Sequence, residues 1–85
     1  MNWINWASGS SELFLGQHRL AAIYPSESVE DGSISWEALI WGPPDWRKPI
    51  WGHFCTDKRS ARREIDWQLS RLAEFAKDFL AHRNA

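Results

Sequence analysis

The chain has almost no cysteine: Cys55 is the only one. A disulfide framework is therefore excluded, and a lone thiol fits a reducing compartment. Long hydrophobic runs are missing too. No segment approaches the roughly 18 apolar residues of a membrane span, and the opening MNWINWASGSSE lacks the basic stretch and apolar run of a secretory leader. The expectation is a cytoplasmic protein with no membrane contact. Excess charge of one sign is also absent. The net charge is −1, whereas a free-standing nucleic-acid binder is usually basic. Catalytic signatures are lacking as well, with no Gly-rich phosphate loop, paired-carboxylate motif or nucleophile motif. His53 and Cys55 fall at i and i+2 of one strand. Two ligands do not make a metal site, and the spacing of His18 and His82 supplies no third. The chain reads as a non-enzyme without cofactor or metal.

What the chain has in abundance is tryptophan, seven in 85 residues. So short a chain forms one domain and buries a modest fraction of its surface. Large rings raise the area buried per residue, and they also dominate binding hot spots. Four of the seven, Trp36, Trp41, Trp46 and Trp51, recur every five residues across Ile34–Cys55, with a Pro-rich bend in their midst. A spacing of five matches neither the strand period of two nor the helix period of 3.6. Trp36 and Trp41 are thus expected on opposite faces of one strand, with Trp46 on the bend.

The division expected is an N-terminal arm over 1–11, an antiparallel sheet over 12–55 and a helix over 57–82. ASGSS (7–11) is a loop by composition, while Trp3 and Trp6 are too apolar to float free. Glu12–Leu15 and His18–Tyr24 read as strands about Gly16–Gln17, a pair suited to a tight hairpin turn; Pro25 is expected to stop the second. PSESVEDGS (25–33) is an acidic loop. In Ile34–Trp41, the residues Ile34, Trp36, Ala38 and Ile40 form a core face, and Leu39 and Trp41 lie on the other. The prolines of GPPDWRKP (42–49) make it irregular. In Ile50–Cys55, Ile50 and Phe54 share one face; Trp51, His53 and Cys55 share the other. The set Leu39, Trp41, Trp51 and His53, with Trp46, is read either as a binding surface or as a second small core beneath Trp3 and Trp6.

From Thr56, taken as the N-cap, the pattern turns helical. Ala61, Ile65, Leu69, Leu72, Ala76, Phe79 and Leu80 fall on one stripe. At 1.5 Å per residue the helix measures about 39 Å, longer than a six- or seven-residue strand of about 20–23 Å. Its last apolar turns, Phe75, Phe79 and Leu80, then need cover from Trp3, Ile4 and Trp6 or from a second copy of the chain. Two features break the simple pattern. The first turns are basic, with Lys58, Arg59, Arg62 and Arg63, a charge that opposes the helix dipole. And Trp67 lies about 160° from the stripe centre on a wheel of 3.6 residues per turn, between Arg63 and Arg71 at i−4 and i+4. The candidate partner-binding residues are therefore Trp67, Arg63, Arg71, Arg59, Arg62 and Lys58, with Trp41 and Trp51 from the sheet.

Residues 36–65 carry a resemblance. Trp36–Ile40, then Trp51, Gly52, Phe54 and Thr56, then Ala61 and Ile65 on a helix, are similar to the sheet-and-helix domain of plant ethylene-response transcription factors and of some phage integrase N-termini. The resemblance implies a small sheet that reads DNA with Arg and Trp. Here only Arg19 stands in the corresponding first strand, and the N-terminal half is acidic, a departure that bears on function more than on fold. In size and style the whole chain also resembles small phage and prophage proteins such as anti-CRISPR inhibitors. The fold expected is α+β, a three- or four-stranded antiparallel sheet packed on one long C-terminal helix. The function expected is a small binding protein that occupies a protein partner as a phage-type inhibitor does; the alternative is a DNA-binding module that docks its sheet in the major groove.

Overall fold

The computed structural model describes residues 2–83, and their side chains through residue 73. Five strands and one helix follow in chain order: β1 (Trp3–Asn5), β2 (Ser11–Leu15), β3 (His18–Glu27), β4 (Ile34–Trp41), β5 (Pro49–Cys55) and α1 (Lys58–Arg83). The strands form one antiparallel sheet in the order β1-β2-β3-β4-β5, and α1 crosses β3, β4 and β5 on one face. The class is α+β, with five strands rather than three or four.

The additional strand comes from the N-terminal arm. ASGSS looks like coil, but it closes a hairpin, and its last residue, Ser11, opens β2. Asn5 pairs with Ser11, and the Ser11 hydroxyl donates to Asn5 Oδ1 at 2.6 Å. The Trp6 N–H donates to the Ser10 carbonyl at 2.9 Å and the Gly9 N–H to the Trp6 carbonyl at 3.0 Å. Gly9 takes φ +94°, and a Cβ there would lie 3.7 Å from Trp36. A glycine thus lets the loop reverse while lying close to that ring.

The next hairpin is as tight as expected. Leu15 pairs with His18, and Gly16 takes φ 62° while no other residue type has positive φ. That is the pattern of a type II′ turn. β3 does not stop at Pro25. It continues to Glu27, pairing Pro25 with Trp36, whereas β2 ends opposite Ile23. By Pro25, β3 has outrun β2 and is locally an edge, where a missing donor is tolerated. The Pro-rich bend after β4 is irregular. Asp45 Oδ1 accepts from the Arg47 backbone N–H and Nε at 3.0 and 3.1 Å, and Trp46 stacks on His18 with centroids 4.3 Å apart.

Register assigns the faces. Ala21 pairs with Ile40 and Ile23 with Ala38; Ile40 pairs with Trp51, Ala38 with His53 and Trp36 with Cys55. Directly opposed residues share a face, so Trp51, His53 and Cys55 lie on the helix side with Trp36, Ala38 and Ile40. They do not share a face with Leu39, the grouping expected from the sequence: Leu39 pairs with Gly52 and so shares a face with Gly52 and Phe54. The core unites Leu13, Ala21, Ile23, Ala38, Ile40 and Cys55 with Ala61 and Ile65 of the helix. The three alanines are fully buried, and their small size brings helix and sheet together.

The helix is capped by Asp57, not Thr56. Asp57 Oδ1 accepts from the Ser60 N–H at 2.7 Å, and Oδ2 accepts from the Ser60 hydroxyl at 3.1 Å. The N-cap carboxylate reaches the N3 amide, which makes Lys58 the first helical residue. The Ser60 backbone bond, then its hydroxyl, holds the Asp57 carboxyl below its usual range. A lowered folded value means stability that is complete above the unfolded aspartate value, about 3.9, and lost as pH falls through the folded one. Asp57→Ala is therefore expected to lower Tm by a few degrees at pH 7. The gap from the parent, followed by circular dichroism melts, should close as the pH is taken below that range.

Along the helix, Ala61 and Ile65 are buried, Leu69 packs at the rim of the core and Leu72 is 41% exposed. Trp3 joins that rim, while Ile4 and Trp6 are 42% and 49% exposed. Phe75, Phe79 and Leu80, through which a dimer was expected, lie outside the residues whose side chains are described.

Candidate functional site

The eight candidate residues fall into three groups. Arg63, Trp67 and Arg71 rise from successive turns of α1 on the side away from the sheet. Trp67 is 56% exposed; Ile65, two residues and about 200° earlier, is fully buried. The Arg71 guanidinium lies 4.8 Å from the Trp67 ring centroid, within the range of a cation–π contact. Arg63, Glu64 and Trp67 line a shallow recess of about 370 Å³. The arrangement is a flat ring held between helical turns, with arginine on both sides and one acid at its edge. Chemically it offers stacking area and bidentate donors, and no group that moves a proton or attacks a bond.

Lys58 and Arg62 form the second group, and both are turned toward the N-terminal hairpin. Lys58 Nζ donates to the Gly9 carbonyl at 2.8 Å and lies 5.7 Å from the Trp36 ring centroid. Arg62 stacks over Trp3 at 4.4 Å. The basic first turns, which work against the helix dipole, thus have a local use: they hold β1 and its loop onto the helix. Arg59, exposed, joins them in lining a recess of about 340 Å³ with Asn5, Ser11 and Ile23.

The third group, Trp41 and Trp51, is largely withdrawn from solvent. Trp51 packs against the core on the helix face. Trp41 is 3% exposed, with the Arg19 guanidinium 4.0 Å from its centroid. Arg19 Nη1 also donates to Tyr24 Oη at 2.7 Å and pairs with Glu12 at 3.3 Å. Burial pushes the Tyr24 phenol up, with Arg19 opposing. Spacing along the chain did not reveal this cluster, because its members come from three strands.

Cys55 is buried. Burial, then the charges of Glu64 and Asp57, pushes its thiol pKa up, which is the opposite of what a nucleophile or thiolate ligand needs. Among the described residues, no group of three His, Cys, Asp or Glu could hold a metal ion, and no helix is long and apolar enough to cross a membrane.

Compared with family models, with curated proteins and with solved structures, the chain matches none.

Proposed function

We propose that this chain is a non-enzymatic binding protein of the cytoplasm that works by occupying a protein partner, in the manner of a phage-type inhibitor. The observation that carries this reading is Trp67, a large ring 56% exposed on the outward face of the helix and already stacked with Arg71. Tryptophan and arginine are the residues most enriched among binding hot spots. A ring already ordered by its neighbour loses less freedom on docking. The open sheet face favours DNA less: its Arg19 is engaged by Glu12, Tyr24 and Trp41, and Glu12 and Glu37 lie on the same face.

Trp67→Ala tests the reading. A surface substitution of this kind is expected to change stability by no more than about 0.5 kcal/mol. Affinity capture with the parent and the variant side by side should lose a specific partner in the variant while the melting curve stays in place. Capture that is indifferent to Trp67, or a large fall in Tm, would remove the ring from the interface. Salt separates a protein partner from nucleic acid. DNA binding weakens with a log–log slope of about 0.9 per neutralised phosphate, whereas a dry, Trp-centred contact should barely respond.

A further inference from the structure

The two edges of the sheet are not alike. β1 is three residues long, too short to recruit another strand. β5 is seven residues long, Pro49–Cys55, and contains no Lys, Arg, Asp or Glu. Sheet proteins ordinarily guard such an edge with charge, proline, a bulge or a covering element. Here the guards sit at one end only: Pro49 opens the strand, and the bulge opposite Ile40–Trp41 falls at Ile50. From Trp51 to Cys55 the ladder to β4 is regular, and among the described residues the outer row of backbone donors and acceptors has no neighbouring strand. Gly52, His53 and Phe54 are exposed, so among the described residues nothing covers this stretch of the edge.

What such an edge takes is another extended backbone, and the side chains of β5 point to β5 itself. Phe54 is 58% exposed. Gly52, two residues earlier on the same face, is exposed as well. A Cβ at Gly52 would approach Leu39 to 3.1 Å, so packing against β4 already favours the absence of a side chain there. An antiparallel pairing of two β5 strands about a two-fold axis at His53 sets Phe54 opposite the partner's Gly52, and does so twice. A ring laid over a cross-strand glycine fills the gap that the glycine leaves. The same register pairs Trp51 with the partner's Cys55 on the helix face. The strand carries no formal charge and the whole chain only −1, so two copies meet without strong repulsion.

We propose that β5 is the seam of a homodimer: two copies pair antiparallel along Trp51–Cys55 about His53, each Phe54 covering the partner's Gly52 and the two sheets joining into one of ten strands. This seam lies on the sheet, away from Trp67 on the helix, so the two readings can fail separately.

Sedimentation equilibrium of the full chain over a wide concentration range should show a reversible monomer–dimer equilibrium. Hydrogen exchange should show Gly52–Phe54 amides that gain protection as concentration rises. Phe54→Lys, which puts a guard charge on the edge at an already exposed position, should yield a monomer at every concentration with an unchanged circular dichroism spectrum. Trp67→Ala should leave the dimer intact. A parent chain that stays monomeric throughout overturns the proposal. So does a dimer that survives Phe54→Lys, or one that protects amides elsewhere but not in β5. Should Phe54→Lys fail to fold, the exchange pattern of the parent decides on its own.

Discussion

An Ile65→Ala protein should lose about 2–5 kcal/mol of folding stability, the range for deleting a buried aliphatic side chain and leaving a cavity. Among the described residues, Ile65 is the only large side chain of the helix that is fully buried. It sits in a core otherwise furnished by sheet residues and alanines. Ala21, Ala38 and Ala61 are too short to move into the space it would vacate, so the site collapses poorly and the cost should fall in the upper part of the range. At 0.05–0.15 kcal/mol per residue, a chain of this length has only about 4–13 kcal/mol in total. The loss is therefore a large share of the whole, and at 4–8 °C per kcal/mol it lowers Tm by on the order of 10 °C or more. Leu72→Ala is the control: Leu72 is 41% exposed and should cost far less. Thermal and urea unfolding of both variants check this. An Ile65 variant no worse than the Leu72 variant would mean that the helix is anchored farther along its length.

The stripe that contains Ile65 was legible because a helix of 3.6 residues per turn leaves its signature in the chain, and the alternation in β4 likewise marked Trp36, Ala38 and Ile40, although Ile34 of the same set is 55% exposed. What the sequence did not carry was registration between strands. The period of two says which residues of one strand share a face, not which face of the next strand they join. The pairing of Ile40 with Trp51 and of Ala38 with His53 joins the odd-numbered residues of β5 to the even-numbered face of β4, which puts Trp51 and His53 on the helix side. The N-terminal strand was hidden for a related reason. Three residues are too few for a period, and the hydrogen bonds that fix them (Ser11 to Asn5, Lys58 to Gly9) join positions that composition cannot connect. The helix cap differed by one residue because both Thr56 and Asp57 suit the position; the geometry at Ser60 decides between them.

The candidate site divides along the same line. Trp67 with Arg63 and Arg71 follows from helical spacing alone, and its exposure was readable. Lys58 and Arg62 had the same spacing, yet they are engaged by Gly9, Trp36 and Trp3, partners on strands and loops far earlier in the chain. The basic character of the first turns thus reflects in part a tertiary tie rather than a free surface.

Trp41→Ala should have the opposite phenotype to Trp67→Ala. Both tryptophans stack with an arginine, Trp67 with Arg71 from its own helix and Trp41 with Arg19 from another strand, and both are candidates for the interface. Trp41, however, is 3% exposed, and truncating a buried Trp costs about 3–5 kcal/mol. The Arg19 guanidinium 4.0 Å above it would lose the surface that it stacks on. The Arg19–Glu12 pair would then remain as a partly exposed contact, a class worth about 0–1 kcal/mol, too little to make good the loss. Gly42, which follows Trp41, is buried, and a Cβ on it would meet Ile50 at 3.0 Å, so the backbone here has little room to shift into the gap. The variant should therefore melt at a much lower temperature, and any loss of partner binding should track the unfolded fraction. Trp41→Phe, which keeps an aromatic face beneath Arg19, should recover much of the stability. If Trp41→Ala instead melts like the parent but fails to bind, Trp41 belongs to the interface, and the working surface moves from the helix to the sheet.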